Sequence, residues 1–69
     1  MEYLRLIKFT PREKQLLKLI SEGYNNSEIS SMLNLSVRTI EKYRSRLLVK
    51  TLSKNAAHMI HQTHEYQWI

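Results

Sequence analysis

The sequence predicts an all-α fold, and three observations lead there. There is one glycine and one proline in 69 residues, too few for the tight turns that β-hairpins demand. Apolar residues recur at helical spacing, as in Leu16, Leu17, Leu19 and Ile20. Residues that cap helix starts (Thr10, Asn25, Ser36 and Ser53) precede the apolar stretches. Together they predict four helices joined by short links, over roughly 11–22, 26–33, 37–50 and 54–64.

The first nine residues contain Tyr3, Leu4, Leu6, Ile7 and Phe9, apolar enough to dock on a core but with a periodicity that fits strand and helix alike. Thr10-Pro11-Arg12-Glu13 then marks the first helix start. Thr10 caps, Pro11 suits the first helical position and Glu13 completes a capping box. Gly23 is the natural stop, with Tyr24 able to fold back on Leu19. Asn25 and Glu28 form a second, weaker box, and Ile29, Met32 and Leu33 share one face of a short helix. Asn34 fills the left-handed position that ends it. Ser36 caps the third helix, and Ser53 is the expected cap of the fourth, which carries Ala56, Ala57, Met59 and Ile60. The tail 65–69 fits no single element, although Trp68 is expected to cover an edge of the core.

Composition narrows the function. A chain of this length is one small domain. It has no cysteine, no long apolar run to span a membrane, and an opening MEYLRLIKF unlike a signal peptide; a cytoplasmic protein, nucleoid-associated when bound, is expected. A net charge of +5 and a pI near 9.8 favour an anionic partner, nucleic acid first. The sole glycine argues against a nucleotide-binding loop, and no activated nucleophile or carboxylate pair is visible. A non-enzyme without cofactor is expected. His58, His61 and His64 spread over about 120° of helix surface, with no Cys or Asp to complete a metal set; they read as a polar face.

The charge is unevenly placed. Residues 35–50, LSVRTIEKYRSRLLVK, hold five of the eleven Lys and Arg residues and a single carboxylate. At about 100° per residue, Ile40 and Leu47 fall on one side of the third helix, with Val37, Leu48 and Thr51 beside them. Arg38, Lys42, Arg46 and Lys50 form a ridge on the other side. Arg44 lands on the core side, where it is expected to snorkel or to pair with a carboxylate of another helix. No carboxylate row four residues away neutralises the ridge within the helix, whereas the phosphates lining a DNA groove would. Arg38, Glu41, Lys42 and Ser45 are placed to face base edges. Ser36, Thr39, Tyr43, Arg46 and Lys50 are placed to touch phosphates. A short helix, a tight turn and a longer basic helix is the pattern of a helix-turn-helix.

These motifs resemble the LuxR/GerE-type (NarL/FixJ) DNA-binding domain of bacterial transcription regulators. The likeness runs from Phe9 to Leu48 through FTPREKQLLKLISEG, NSEISSMLNLS and RTIEKYRSRLL, in order and at matching spacing. It implies a four-helix fold with the third helix in the major groove. It further implies base contacts by Glu41, Lys42 and Ser45, phosphate contacts by Thr39, Tyr43, Arg46, Lys50 and Asn26, and a homodimer through the fourth helix at Ala56, Met59, Ile60 and Thr63. Departures include Glu41 where many members have Lys, Tyr43 for the common His, and Thr51-Leu52-Ser53 where most have Leu-Gly-Val.

The expected function is sequence-specific binding of double-stranded DNA by a transcription regulator, with RNA polymerase as a possible further partner and no membrane role. The family's domains usually follow a receiver or ligand-sensing domain, so a stand-alone regulator and a C-terminal piece both fit. A protein-interaction module that pairs through the fourth helix without reading DNA is the alternative. A sigma-factor region 4-like piece is a second.

Overall fold

How each helix starts and stops accounts for most of the architecture of the computed structural model, which describes residues 2–69. Its elements are α1 (Glu2–Leu6), α2 (Pro11–Ser21), α3 (Asn26–Leu33), α4 (Val37–Lys50) and α5 (Ala56–Glu65). Helices α2 to α5 are the four expected ones; α1 resolves the ambiguous N-terminal segment as a further short helix. No strand occurs among the described residues.

The starts follow local chemistry. The Glu13 N–H donates to Thr10 Oγ1 at 3.1 Å and the Thr10 N–H donates to Glu13 Oε1 at 2.8 Å. The same reciprocal box joins Asn25 and Glu28, at 2.9 Å in both directions. Ser36 Oγ accepts from the Thr39 N–H at 3.1 Å. Each box satisfies helix-start donors that have no carbonyl behind them. The fourth expected start is corrected. Asn55 rather than Ser53 caps α5, its Oδ1 accepting from the His58 N–H at 2.8 Å. His58 Nδ1 accepts in return from the Lys54 N–H at 3.0 Å. Ser53 is taken by a different network: its hydroxyl meets Thr51 Oγ1 at 2.7 Å and accepts from Gln62 Nε2 at 2.8 Å.

The four longer helices end alike. Each is followed by a residue of positive φ: Gly23 at 95°, Asn34 at 56°, Leu52 at 55° and Gln67 at 54°. The next residue's N–H then returns to a carbonyl five positions back, Tyr24 to Leu19, Leu35 to Ser30, Ser53 to Leu48 and Trp68 to Thr63, at 2.9–3.2 Å. This is the Schellman turn. Gly23 and Asn34 suit it, but Leu52 stands where a left-handed backbone costs an L-residue about 1–2 kcal/mol, and its side chain is largely exposed. Leu52→Gly is therefore expected to raise stability by about 0.5–1 kcal/mol, once the extra freedom of glycine in the unfolded chain is offset. A denaturant midpoint at or below that of the parent would contradict the strained-turn assignment.

The turns aim apolar side chains at one core. Leu4, Leu16, Leu17, Ile20, Ile29, Ile40, Leu47, Met59 and Trp68 are buried together. Met32 and Val37, expected on inward faces, are instead 49% and 39% exposed; they flank the turn between α3 and α4, Met32 near the end of α3 and Val37 at the start of α4. A buried polar knot joins α4 to α5. Thr51 Oγ1 donates to the Leu47 carbonyl at 2.6 Å, and Gln62 Nε2 donates to the Thr51 carbonyl at 3.1 Å. Both chain ends close over the core: Trp68 Nε1 donates to the Leu4 carbonyl at 2.9 Å and the Tyr3 hydroxyl to the Lys50 carbonyl at 2.7 Å.

Candidate nucleic-acid interface

Helix α3, the turn Asn34-Leu35-Ser36 and helix α4 form the helix-turn-helix. The turn is held by the left-handed Asn34 and by the Ser30 hydroxyl, which donates to the Leu35 carbonyl. Ile29 on α3 and Ile40 and Leu47 on α4 are fully buried, so the two helices share an apolar seam that fixes their relative pose. With that seam inward, α4 turns its other side to solvent. Arg38, Glu41, Lys42, Ser45 and Arg46 are all exposed and together line one shallow depression. Periodicity placed these five on the outer face, and the structure gathers them there.

Other expected contact residues are placed differently. Ser36 and Thr39 face each other at the helix start, with hydroxyl oxygens 2.9 Å apart. Tyr43 is half-buried with its ring against the core. Asn26 is half-buried at the first turn of α3, and its Oδ1 accepts from Arg44 Nη1 at 3.2 Å. Arg44 does lie inward as expected, but its partner is this amide and not a carboxylate.

Lys50 departs from the expected unpaired ridge. Its Nζ lies 2.8 Å from Glu13 Oε1 and 5.0 Å from the centre of the Phe9 ring. The fourfold ridge is thus a ridge of three, Arg38, Lys42 and Arg46, with Lys50 tying α4 to α2. Sequence reasoning missed Glu13 here because its capping role already explained it; one Glu13 oxygen serves both the box and the ion pair. Partial burial pushes the Glu13 carboxyl up. The Lys50 hydrogen bond, the Thr10 N–H and the Lys50 charge outweigh that and leave it below the ordinary carboxylate range.

The sign of the pH effect follows. Because the folded state holds Glu13 ionised more readily than the unfolded chain does, its contribution is complete above the ordinary glutamate range and is lost as pH falls through the lowered value. The melting midpoint is expected to drop on acidification from pH 6 to pH 3 (roughly the span of a shifted glutamate), and to drop less in Glu13→Gln. Equal acid sensitivity in both proteins would contradict the role given to this pair.

The expected dimer surface is also corrected. Met59 and Thr63 are 0% and 1% exposed, and the Thr63 hydroxyl donates to the Met59 carbonyl at 2.7 Å. They belong to the core and have no surface to offer. Ala56 and Ile60 are half-buried, and the side of α5 left to solvent carries Ala57, His61 and His64. Among the described residues no group of three His, Cys, Asp or Glu is arranged to hold a metal, and no helix is long and apolar enough to cross a membrane.

Comparison with known proteins agrees with the helix-turn-helix. The family model of bacterial regulatory proteins, luxR family, matches residues 8–63, which takes in α2 to α4 and most of α5 but not α1 or Trp68. The chain is 59% identical over 49 residues to the probable transcriptional regulator ycf29 of Pyropia yezoensis, covering 71% of this chain and 22% of that protein. It is 48% identical over 54 residues to the ycf29 protein of Cyanophora paradoxa, covering 78% and 26%. It is 44% identical over 54 residues to the response regulator Rre1 of Synechocystis sp., covering 78% and 23%. The chain spans about a quarter of the length of these curated relatives. No solved structure matches it significantly. The chain belongs to the luxR family of bacterial regulatory proteins, which its helix-turn-helix matches over residues 8–63.

Proposed function

We propose that α4 enters the major groove with its outer face against base edges, while the start of α3 meets the flanking backbone. The observation that supports this reading is the exposed set Arg38, Lys42 and Arg46, which has no ion-pair partner among the described residues and is interleaved with Glu41 and Ser45 on one depression. A 14-residue helix is about 21 Å long, and the groove is about 12 Å wide. Only part of α4 can lie at base depth, and we assign its first turns to that part. Arg38, Glu41, Lys42 and Ser45 occupy those turns. Arg or Lys there suits the acceptors of guanine, and Glu41 suits the amino group of cytosine. Arg46, with Ser36, Thr39 and Asn26, is assigned to phosphates. We assign Lys50 to holding α4 against α2, because Glu13 and Phe9 already occupy it.

The domain acts as a binding module and carries out no reaction. Two copies on paired half-sites would meet through the solvent side of α5, with Ala57, His61 and His64 central and Ala56 and Ile60 at the edge. Contact with RNA polymerase would fall on surfaces away from α4. The test is selection of duplexes from a random-sequence pool with the purified domain at low salt, followed by sequencing. A palindromic consensus supports paired binding, and a single short consensus supports a monomer. No enrichment, with the α5 surface still capturing a regulator subunit, would replace DNA reading with the protein-interaction module.

A further inference from the structure

We infer that Arg44 is a positioning residue for DNA: it acts through Asn26 by fixing which end of the Asn26 amide is offered to a phosphate. The inference rests on the proposed docking of α3–α4. Arg44 is half-buried on the side of α4 that meets α3, and its Nη1 lies 3.2 Å from Asn26 Oδ1. A guanidinium can only donate. The amide atom facing it is therefore the carbonyl oxygen, and the Asn26 NH₂ is turned away from Arg44. That NH₂ can only donate, and phosphate oxygens can only accept. It sits at the start of α3, where the main-chain N–H groups of Asn26 and Ser27 have no helix carbonyl behind them. An Asn26 free to flip would present its oxygen to phosphate in the wrong rotamer; Arg44 excludes that rotamer. The same bond crosses from one helix of the pair to the other, 18 positions apart, so the backbone contact and the base contacts stay in register. Arg44 itself is not counted among the phosphate-binding cations.

A double-mutant cycle on a selected duplex tests this, with binding read by fluorescence anisotropy over a range of salt concentrations and folding checked by thermal melts. Asn26→Ala is expected to weaken binding about tenfold, the size of one lost hydrogen bond to a charged group. Arg44→Met should weaken it by a similar factor in the parent and by nothing further in Asn26→Ala. The slope of log K against log salt should stay the same in all four proteins, since no phosphate-bound cation is lost. Arg44→Lys, which keeps a donor, should bind within about threefold of the parent. Effects that multiply across the cycle, or a slope reduced by about one unit in Arg44→Met, would mean that Arg44 meets phosphate directly or acts only on folding, and either overturns the inference. A parent that binds no duplex overturns the docking reading and this inference with it. A parent that binds, with multiplying substitutions, overturns this inference alone.

Discussion

Trp68→Ala is expected to leave the domain close to half unfolded at 25 °C. Trp68 is 6% exposed. Its ring lies 5.2 Å from that of Phe9 and 5.7 Å from that of Tyr66, and its Nε1 donates to the Leu4 carbonyl. Truncating a buried Trp to Ala costs about 3–5 kcal/mol, and domains below about 70–80 residues rarely hold more than about 3–5 kcal/mol in total. The loss is as large as the stability it is taken from. Far-UV circular dichroism should show a broad, low melt for Trp68→Ala. Trp68→Phe, which keeps a ring but leaves the Leu4 carbonyl without its donor, should lose about 1–3 kcal/mol. A parent-like melt for Trp68→Ala would mean that the C-terminal tail is an appendage and not part of the core.

Lys42→Ala is expected to weaken binding to a preferred duplex by about 1–3 kcal/mol and to relax sequence choice at one position. Arg46→Ala, one turn further along and assigned to phosphate, should instead weaken all duplexes alike and lower the salt slope by about one unit. The contrast follows from the proposed docking, in which Lys42 lies within the turns of α4 assigned to base edges and Arg46 borders them. Binding measured on preferred and scrambled duplexes at several salt concentrations separates the two. Equal losses on both duplexes for Lys42→Ala would take that residue out of base reading.

Much of this was legible in the sequence, for local reasons. Thr10 with Glu13, Asn25 with Glu28, and Ser36 declare helix starts because a cap and its partner lie within three residues. Gly23 and Asn34 declare stops because they tolerate positive φ. The outer face of α4 follows from periodicity alone. What was hidden depends on distant partners. Ser53 and Asn55 are equally good caps by type, and Gln62, reaching from α5, decides between them by occupying Ser53. Leu52 and Gln67 make the same turn as Gly23, against their own preference. Glu13 captures Lys50 across 37 positions and Asn26 captures Arg44 across 18; neither pair has a sequence signature. For Met59 and Thr63, a stripe of small and apolar residues fits a core and a dimer seam equally well, and packing chose the core.

Docking of the exposed α4 face on the duplex underlies every binding prediction above. It is tested most directly by titrating the isotopically labelled domain with a selected duplex and following its backbone amide resonances. The large shifts are expected on Arg38, Glu41, Lys42, Ser45 and Arg46, with Asn26 and Ser27 following at the start of α3. Shifts gathered instead on the outer side of α2, at Lys14 and Lys18, or on His61 and His64 of α5, with the α4 face unmoved, would contradict it.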